Sequence, residues 1–353
     1  MKIGILTFHN TTNFGSMLQT YGLYKAIENL GQEPEIINYN CKFLEDKEIP
    51  KNIRLHLKLK ENIKEILIYN KIRKKYKKLT LFLKNNVKLS KPYNVNNIKD
   101  SSNKYDKFFV GSDIVWGLDI TSNDYTYFLN FIKNKNKKYS FSSSIGNKWK
   151  ENQKIEVKKL LTDFKQIAVR EIEAKKWVDE LVKKKVDVVC DPTMLIKNEW
   201  NKFIMEEDKN EKYVLVYFND SNNKCLESAM RYAARNNLKI YYINYSLPLS
   251  KVKNIKPESI EEFLTLIYNA EFISTASYHG LLFSLYFNKK FAYFNRAHKS
   301  RMDSLGKMLS ICDRDGIKND ILKMGELNYD EINKKIDIIK EKSLDILKGM
   351  LDE

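Results

Sequence analysis

The chain has 353 residues, 43% hydrophobic and 12% aromatic, too long for one ordinary core and suited to two domains of about 150 residues each. Its formal net charge is +17, but residues 51–104 alone hold 16 Lys and Arg against 3 Asp and Glu, so the imbalance is local. No apolar run approaches the roughly 20 residues of a membrane span. Residues 1–9 read as a first strand rather than a secretory leader. Cys41, Cys190, Cys225 and Cys312 are scattered, with no Cys-x-x-Cys pair, which argues against structural disulfides and zinc. A cytoplasmic protein is expected.

Residues 2–8 predict a strand, and residues 17–30 a helix with Met17, Leu18, Tyr21, Tyr24, Ile27 and Leu30 at helical spacing. Gly31 sits where a helix C-terminus wants a left-handed residue. A strand at 35–39 completes a β-α-β opening, whose first turn is a place where such folds bind anionic ligands. The basic segment follows. Within it, residues 63–78 read as an amphipathic helix, either a solvated face or a contact for an anionic membrane surface. Nucleic acid is not expected, since no RNA- or DNA-binding motif is present.

Strands are predicted at 105–110, 138–142, 166–169 and 186–190, with helices at 155–164 and 170–181 between them. Strands then recur at 213–218, 239–244, 272–274 and 291–294, with helices at 222–236 and 259–269 and a closing helix at 329–350. Such alternation argues parallel sheets covered on both faces. The expected division is an N-terminal Rossmann-like domain over 1–194, carrying a basic helical insertion at about 42–104, and a second Rossmann-like domain over 195–353 with the closing helix.

Polar residues gather at predicted strand ends: Asn13, Ser112, Asp113, Ser143, Asp191, Ser277 and His279. In open α/β sheets ligands bind along that edge. Asn13 before Gly15 reads equally as a helix cap and as a ligand. Asp113 is open in the same way, and Asp191-Pro192 reads as a turn. His279 stands where an apolar strand turns at once into an apolar helix, a position for a general acid beside an anion-binding helix N-terminus. His9 and His298 lie near other strand ends and read as bystanders. Arg170, at a helix start where the dipole disfavours a cation, is expected to face an anion or a carboxylate. Arg301 is a second anion clamp, suited by its planar fork.

Six blocks in order resemble the polysaccharide pyruvyltransferase family. They are Asn13-Phe-Gly15-Ser-Met-Leu-Gln19; Gly111-Ser112-Asp113-Ile-Val-Trp116 with Ser143 and Gly146; Val169-Arg170-Glu171; Asp191-Pro-Thr193; Ser277-Tyr-His279-Gly280; and Ser300-Arg301-Met-Asp. The resemblance implies two Rossmann-like domains facing across a cleft, as in GT-B enzymes. It implies transfer of a pyruvyl group from phosphoenolpyruvate onto a sugar diol or lipid-linked oligosaccharide, without a metal or cofactor. His279 would be the acid and Arg170 would bind the donor. Asn13, Gly15, Gln19, Ser112, Asp113, Trp116, Ser143, Gly146, Ser277, Gly280 and Arg301 would bind substrate. Two positions depart: Ser277 and Ala276 stand where many members carry arginine and aspartate. Residues 42–104 fall outside the resemblance, and acceptor choice is expected there. The alternative is a glycosyltransferase of the same fold using a nucleotide sugar.

Overall fold

The computed structural model describes residues 1–50, 63–206, 211–220, 222–295 and 300–353. It divides into two units: Met1–Ile49 with Leu83–Ile196 and Lys335–Glu353, and Pro50–Phe82 with Lys197–Lys334. In chain order the elements are β1 (Lys2–Leu6), α1 (Phe14–Asn29), β2 (Glu33–Ile36), α2 (Lys42–Glu48), α3 (Ile63–Asn86), β3 (Lys107–Val110), β4 (Lys138–Ser143) and α4 (Glu151–Thr162). After these come β5 (Gln166–Val169), α5 (Ile172–Asp179), β6 (Val186–Val188), α6 (Pro192–Leu195), β7 (Tyr213–Tyr217), α7 (Lys224–Arg235), β8 (Lys239–Ile243) and β9 (Lys253–Ile255). The last are α8 (Ile260–Tyr268), β10 (Phe272–Thr275), α9 (Tyr278–Tyr286), β11 (Lys290–Tyr293), α10 (Ser300–Leu309) and α11 (Tyr329–Asp352). His298 lies outside the described residues.

The first unit holds a sheet of order β2-β1-β3-β4-β5-β6, parallel throughout. Its inner strands are buried on both faces: all four residues of β3 and all six of β4 are buried, the latter including Lys138 and three serines. β1 stops at Leu6 rather than Phe8 because the Phe8 carbonyl accepts from Gln19 Nε2 and Thr20 Oγ1 at 3.2 and 3.1 Å. Trp116, expected to bind substrate, is instead a core residue. It is fully buried and stacked on Phe128 at 5.4 Å, and its Nε1 donates to the Tyr127 carbonyl at 3.0 Å. Gly111 ends β3 with φ at 127°, and a Cβ there would lie 2.0 Å from the Phe141 carbonyl oxygen. Only glycine fits so close an approach.

The second unit holds a parallel sheet of order β11-β10-β7-β8-β9. Val214, Val216, Phe272, Ala292 and Phe294 form its core with Cys225 and Ala229 of α7. β9 escapes a reading from pattern, being three residues, Lys-Asn-Ile, with no apolar alternation.

The division of the chain differs from the expected one at two places. Most of the basic helix, through Phe82, belongs to the second unit rather than to the first as an insertion. Its lysines find their carboxylates there: Lys71 meets Glu258 at 2.9 Å, Lys78 meets Glu262 at 2.9 Å, and Lys75 lies over the Tyr245 ring at 4.1 Å. The closing helix is shared, with Lys335 onward in the first unit. The buried Lys107 Nζ donates to the carbonyls of Met350 and Leu351 at 2.8 and 2.6 Å, a cation where a helix C-terminus favours one. Ser343 Oγ accepts from the Cys190 amide at 2.9 Å.

Candidate functional site

In the first unit, the residues after β1 and β3 converge. Asn13 caps α1, its Oδ1 accepting from the Gly15 amide at 2.9 Å. Asp113, in a left-handed conformation with φ at 67°, accepts from Ser16 Oγ at 2.6 Å and from the Ile114 amide at 2.9 Å. That bond joins two motifs about a hundred residues apart. Asn13, Ser16 and Asp113 line a cavity of about 160 Å³.

Gln19 and Ser112 lie buried beneath them and do not line it. Gln19 is a structural hub rather than a ligand. Its Nε2 donates to Thr7 Oγ1 at 2.9 Å and the Ser16 carbonyl at 2.9 Å, and its Oε1 accepts from the Ser112 amide at 3.1 Å. Both ends of the amide are thereby satisfied by the frame of the sheet edge. Ser143 Oγ is similarly committed, donating to the Val110 carbonyl at 3.0 Å. Gly146 takes φ at 76° in the turn after β4 and does not line the cavity.

Arg170 faces carboxylates. Its Nε meets Glu171 at 3.0 Å and its Nη1 meets Asp191 at 2.7 Å, with all three side chains at most 2% exposed. Asp191 also caps α6, accepting from the Thr193 amide and hydroxyl at 3.0 and 2.7 Å. The arginine therefore holds the ends of β5 and β6 together. Its guanidinium, expected to bind the donor, is buried and paired with these two carboxylates, and it does not line the cavity.

In the second unit, Ser277 caps α9, its Oγ accepting from the Gly280 amide at 3.2 Å. A Cβ on Gly280 would stand 2.5 Å from Thr275 Oγ1, so the glycine lets the helix start tight against β10. His279 is the second residue of α9 and 6% exposed, its ring edge-on to Tyr278 at 5.5 Å. The Arg301 guanidinium lies 5.8 Å from the Tyr278 ring centroid. A cation, an aromatic ring and a histidine thus share the positive end of one helix dipole.

His9, expected to be a bystander, instead lines the cavity of the first unit, together with Cys41 and with Tyr39, Glu45 and Glu48, which the sequence did not single out. Burial pushes the His9 imidazole below its ordinary pKa, against the raising influence of its bonds to Asn38 and the Thr7 carbonyl. The one available signal was the spacing of Glu45 and Glu48, which puts both on one face of α2. Among the described residues, no group of three or more His, Cys, Asp or Glu is placed to hold a metal ion.

A family model described as polysaccharide pyruvyl transferase matches residues 13–298. No curated protein matches the chain significantly. Among solved structures it is similar to the UDP-GlcNAc 2-epimerase of Neisseria meningitidis bound to UDP-GlcNAc, at 11% identity over 100% of both chains with a TM-score of 0.51. It is also similar to a Listeria monocytogenes protein assigned as a UDP-N-acetylglucosamine 2-epimerase, at 9% identity and a TM-score of 0.52, over 98% of this chain and 89% of that one. At these identities the likeness is one of fold: a GT-B-like pair of Rossmann-like parallel sheets.

Proposed function

We propose, because this chain belongs to the polysaccharide pyruvyl transferase family, that it moves the pyruvyl group of phosphoenolpyruvate onto two hydroxyls of a cell-surface glycan precursor. The observation that carries this reading is the grouping of His279, Tyr278 and Arg301 at the start of α9. The chemistry needs a proton for C3 of the enol, which leaves positive charge at C2. One hydroxyl attacks C2 and loses its proton; the C2–O bond to phosphate breaks with its electron pair, and the second hydroxyl closes the ketal with loss of its proton. Phosphate departs. His279 gives the first proton, and Arg301 with the helix dipole holds the anionic donor. The steps call for no cofactor. With Ser277 where the family resemblance leads one to expect arginine, Arg301 is the cation of this group among the described residues.

The test is a thermal-shift titration with phosphoenolpyruvate beside a panel of nucleotide sugars. A ligand at 100 times its dissociation constant adds about 2.7 kcal/mol. Stabilisation by phosphoenolpyruvate, lost in Arg301→Ala, is expected. Stabilisation by a nucleotide sugar alone would make the protein a glycosyltransferase.

We further propose a cytoplasmic protein peripheral to an anionic membrane, where a lipid-linked acceptor would be met. No described helix is long and apolar enough to cross a membrane. On α3, Arg73, Lys74, Lys77 and Leu81 are exposed, Leu81 to 55%; Arg73, Lys77 and Leu81 follow one another at four-residue spacing along one face, and Lys74, three residues after Lys71 and four before Lys78, borders their ion pairs. Each such cation contributes about 1 kcal/mol at an anionic bilayer. Co-sedimentation with phosphatidylglycerol vesicles should weaken roughly a hundredfold when all three become Gln. Equal binding to neutral vesicles, or by the variant, would refute the contact.

A further inference from the structure

The cavity of the first unit is walled by Phe8, His9 and Tyr39, with Tyr127 edge-on to Phe8 at 5.0 Å and to Tyr39 at 5.7 Å. Among the described residues, its charged lining is Asp113, Glu45 and Glu48, opposed by Lys47. Each glutamate spends one carboxylate oxygen on the wall. Glu45 Oε1 accepts from Asn10 Nδ2 at 3.1 Å, and Glu48 Oε2 from Thr11 Oγ1 at 3.1 Å and Thr12 Oγ1 at 3.4 Å. Those bonds fix the carboxylates and leave Glu45 Oε2 and Glu48 Oε1 for a ligand. The volume of about 160 Å³ is below the roughly 300 Å³ at which sites for drug-sized ligands begin.

We infer that this cavity is a subsite for an uncharged sugar ring, held by hydroxyls donated to Glu45 and Glu48 and by aromatic contact with its C–H face. Among the described lining residues, three carboxylates against one lysine repel a phosphate or carboxylate ligand, which disfavours phosphoenolpyruvate and the diphosphate of a nucleotide sugar. A polyol has the opposite chemistry, since each hydroxyl donates a charge-assisted hydrogen bond to a carboxylate oxygen. Apolar ring faces supply the remaining contact. Both glutamates lie on α2, between the first two of the six blocks, so this helix sets which sugar is taken. That the sugar is the pyruvyl acceptor rests on the function proposed above; that the cavity binds a neutral sugar does not.

The probes are methyl glycosides of glucose, galactose, mannose and their N-acetylated forms, followed by saturation-transfer NMR on the full chain at millimolar concentration. Glu45→Gln removes the charge at constant volume, and Ile120→Trp, at another lining position, fills the space. At least one glycoside should bind the unmodified protein and weaken roughly tenfold or more in each variant. The phosphoenolpyruvate thermal shift should persist in both, which also shows that they fold. Absence of glycoside binding, or binding unchanged in Ile120→Trp, would overturn the subsite. So would loss of the phosphoenolpyruvate shift in a variant that keeps its thermal stability, since the cavity would then hold the donor. Glycoside binding that responds to both variants, with no phosphoenolpyruvate shift in any protein, would uphold the sugar subsite and refute pyruvyl transfer.

Discussion

His279→Ala is expected to lower pyruvyl transfer about a hundred- to ten-thousand-fold, the span a positioned general acid contributes. The effect should fall on kcat, because in the proposed mechanism His279 supplies the proton and Arg301 the anion contact. Donor stabilisation in the thermal-shift assay should survive. Carried out in deuterium oxide, the reaction should place one deuterium in the ketal methyl, marking protonation at C3 as the step that the residue serves. The substitution leaves the cap of α9 in place, since Ser277 rather than His279 supplies it. A variant that folds, binds phosphoenolpyruvate and transfers at the original rate would remove His279 from the mechanism. Loss of donor binding with kcat retained would make it a ligand instead.

The second large effect is on stability. Arg170→Ala should cost about 3–5 kcal/mol, because it leaves Glu171 and Asp191 buried, adjacent and without their shared guanidinium. Arg170→Lys should recover only part of this, as an ammonium cannot reproduce a planar fork aimed at two carboxylates. Asp191→Ala should be costly as well, losing both the ion pair and the cap of α6. Urea denaturation followed by tryptophan fluorescence measures all three; Trp116 and Trp149 of the first unit are buried reporters. An Arg170→Ala protein of unchanged midpoint that no longer responds to phosphoenolpyruvate would reverse the assignment and restore the arginine to the donor.

Local rules were legible in the sequence. Strand-helix alternation foretells two parallel sheets because a βαβ crossover buries both faces and writes apolar runs into the strands. Asn13 caps α1, and Gly31 takes the left-handed φ of 76° after it, since each choice depends only on the backbone within a few residues. The family blocks were equally visible, being contiguous.

What the tertiary structure decided is where each conspicuous side chain spends its polar atoms. Gln19 and Trp116 sit in motifs yet are consumed by the frame, and Arg170 finds two carboxylates. Residues 51–104 carry most of the excess charge in the sequence, but α3 finds its partners at Glu258 and Glu262, nearly two hundred residues away. The cavity is the clearest case. Phe8, Glu45, Asp113 and Tyr127 share no local pattern and meet only because the order β2-β1-β3 brings their loops to one sheet edge. A sequence fixes backbone preference over a turn or two. Which groups become neighbours depends on sheet order and packing, summed over the whole unit, and no single stretch encodes it.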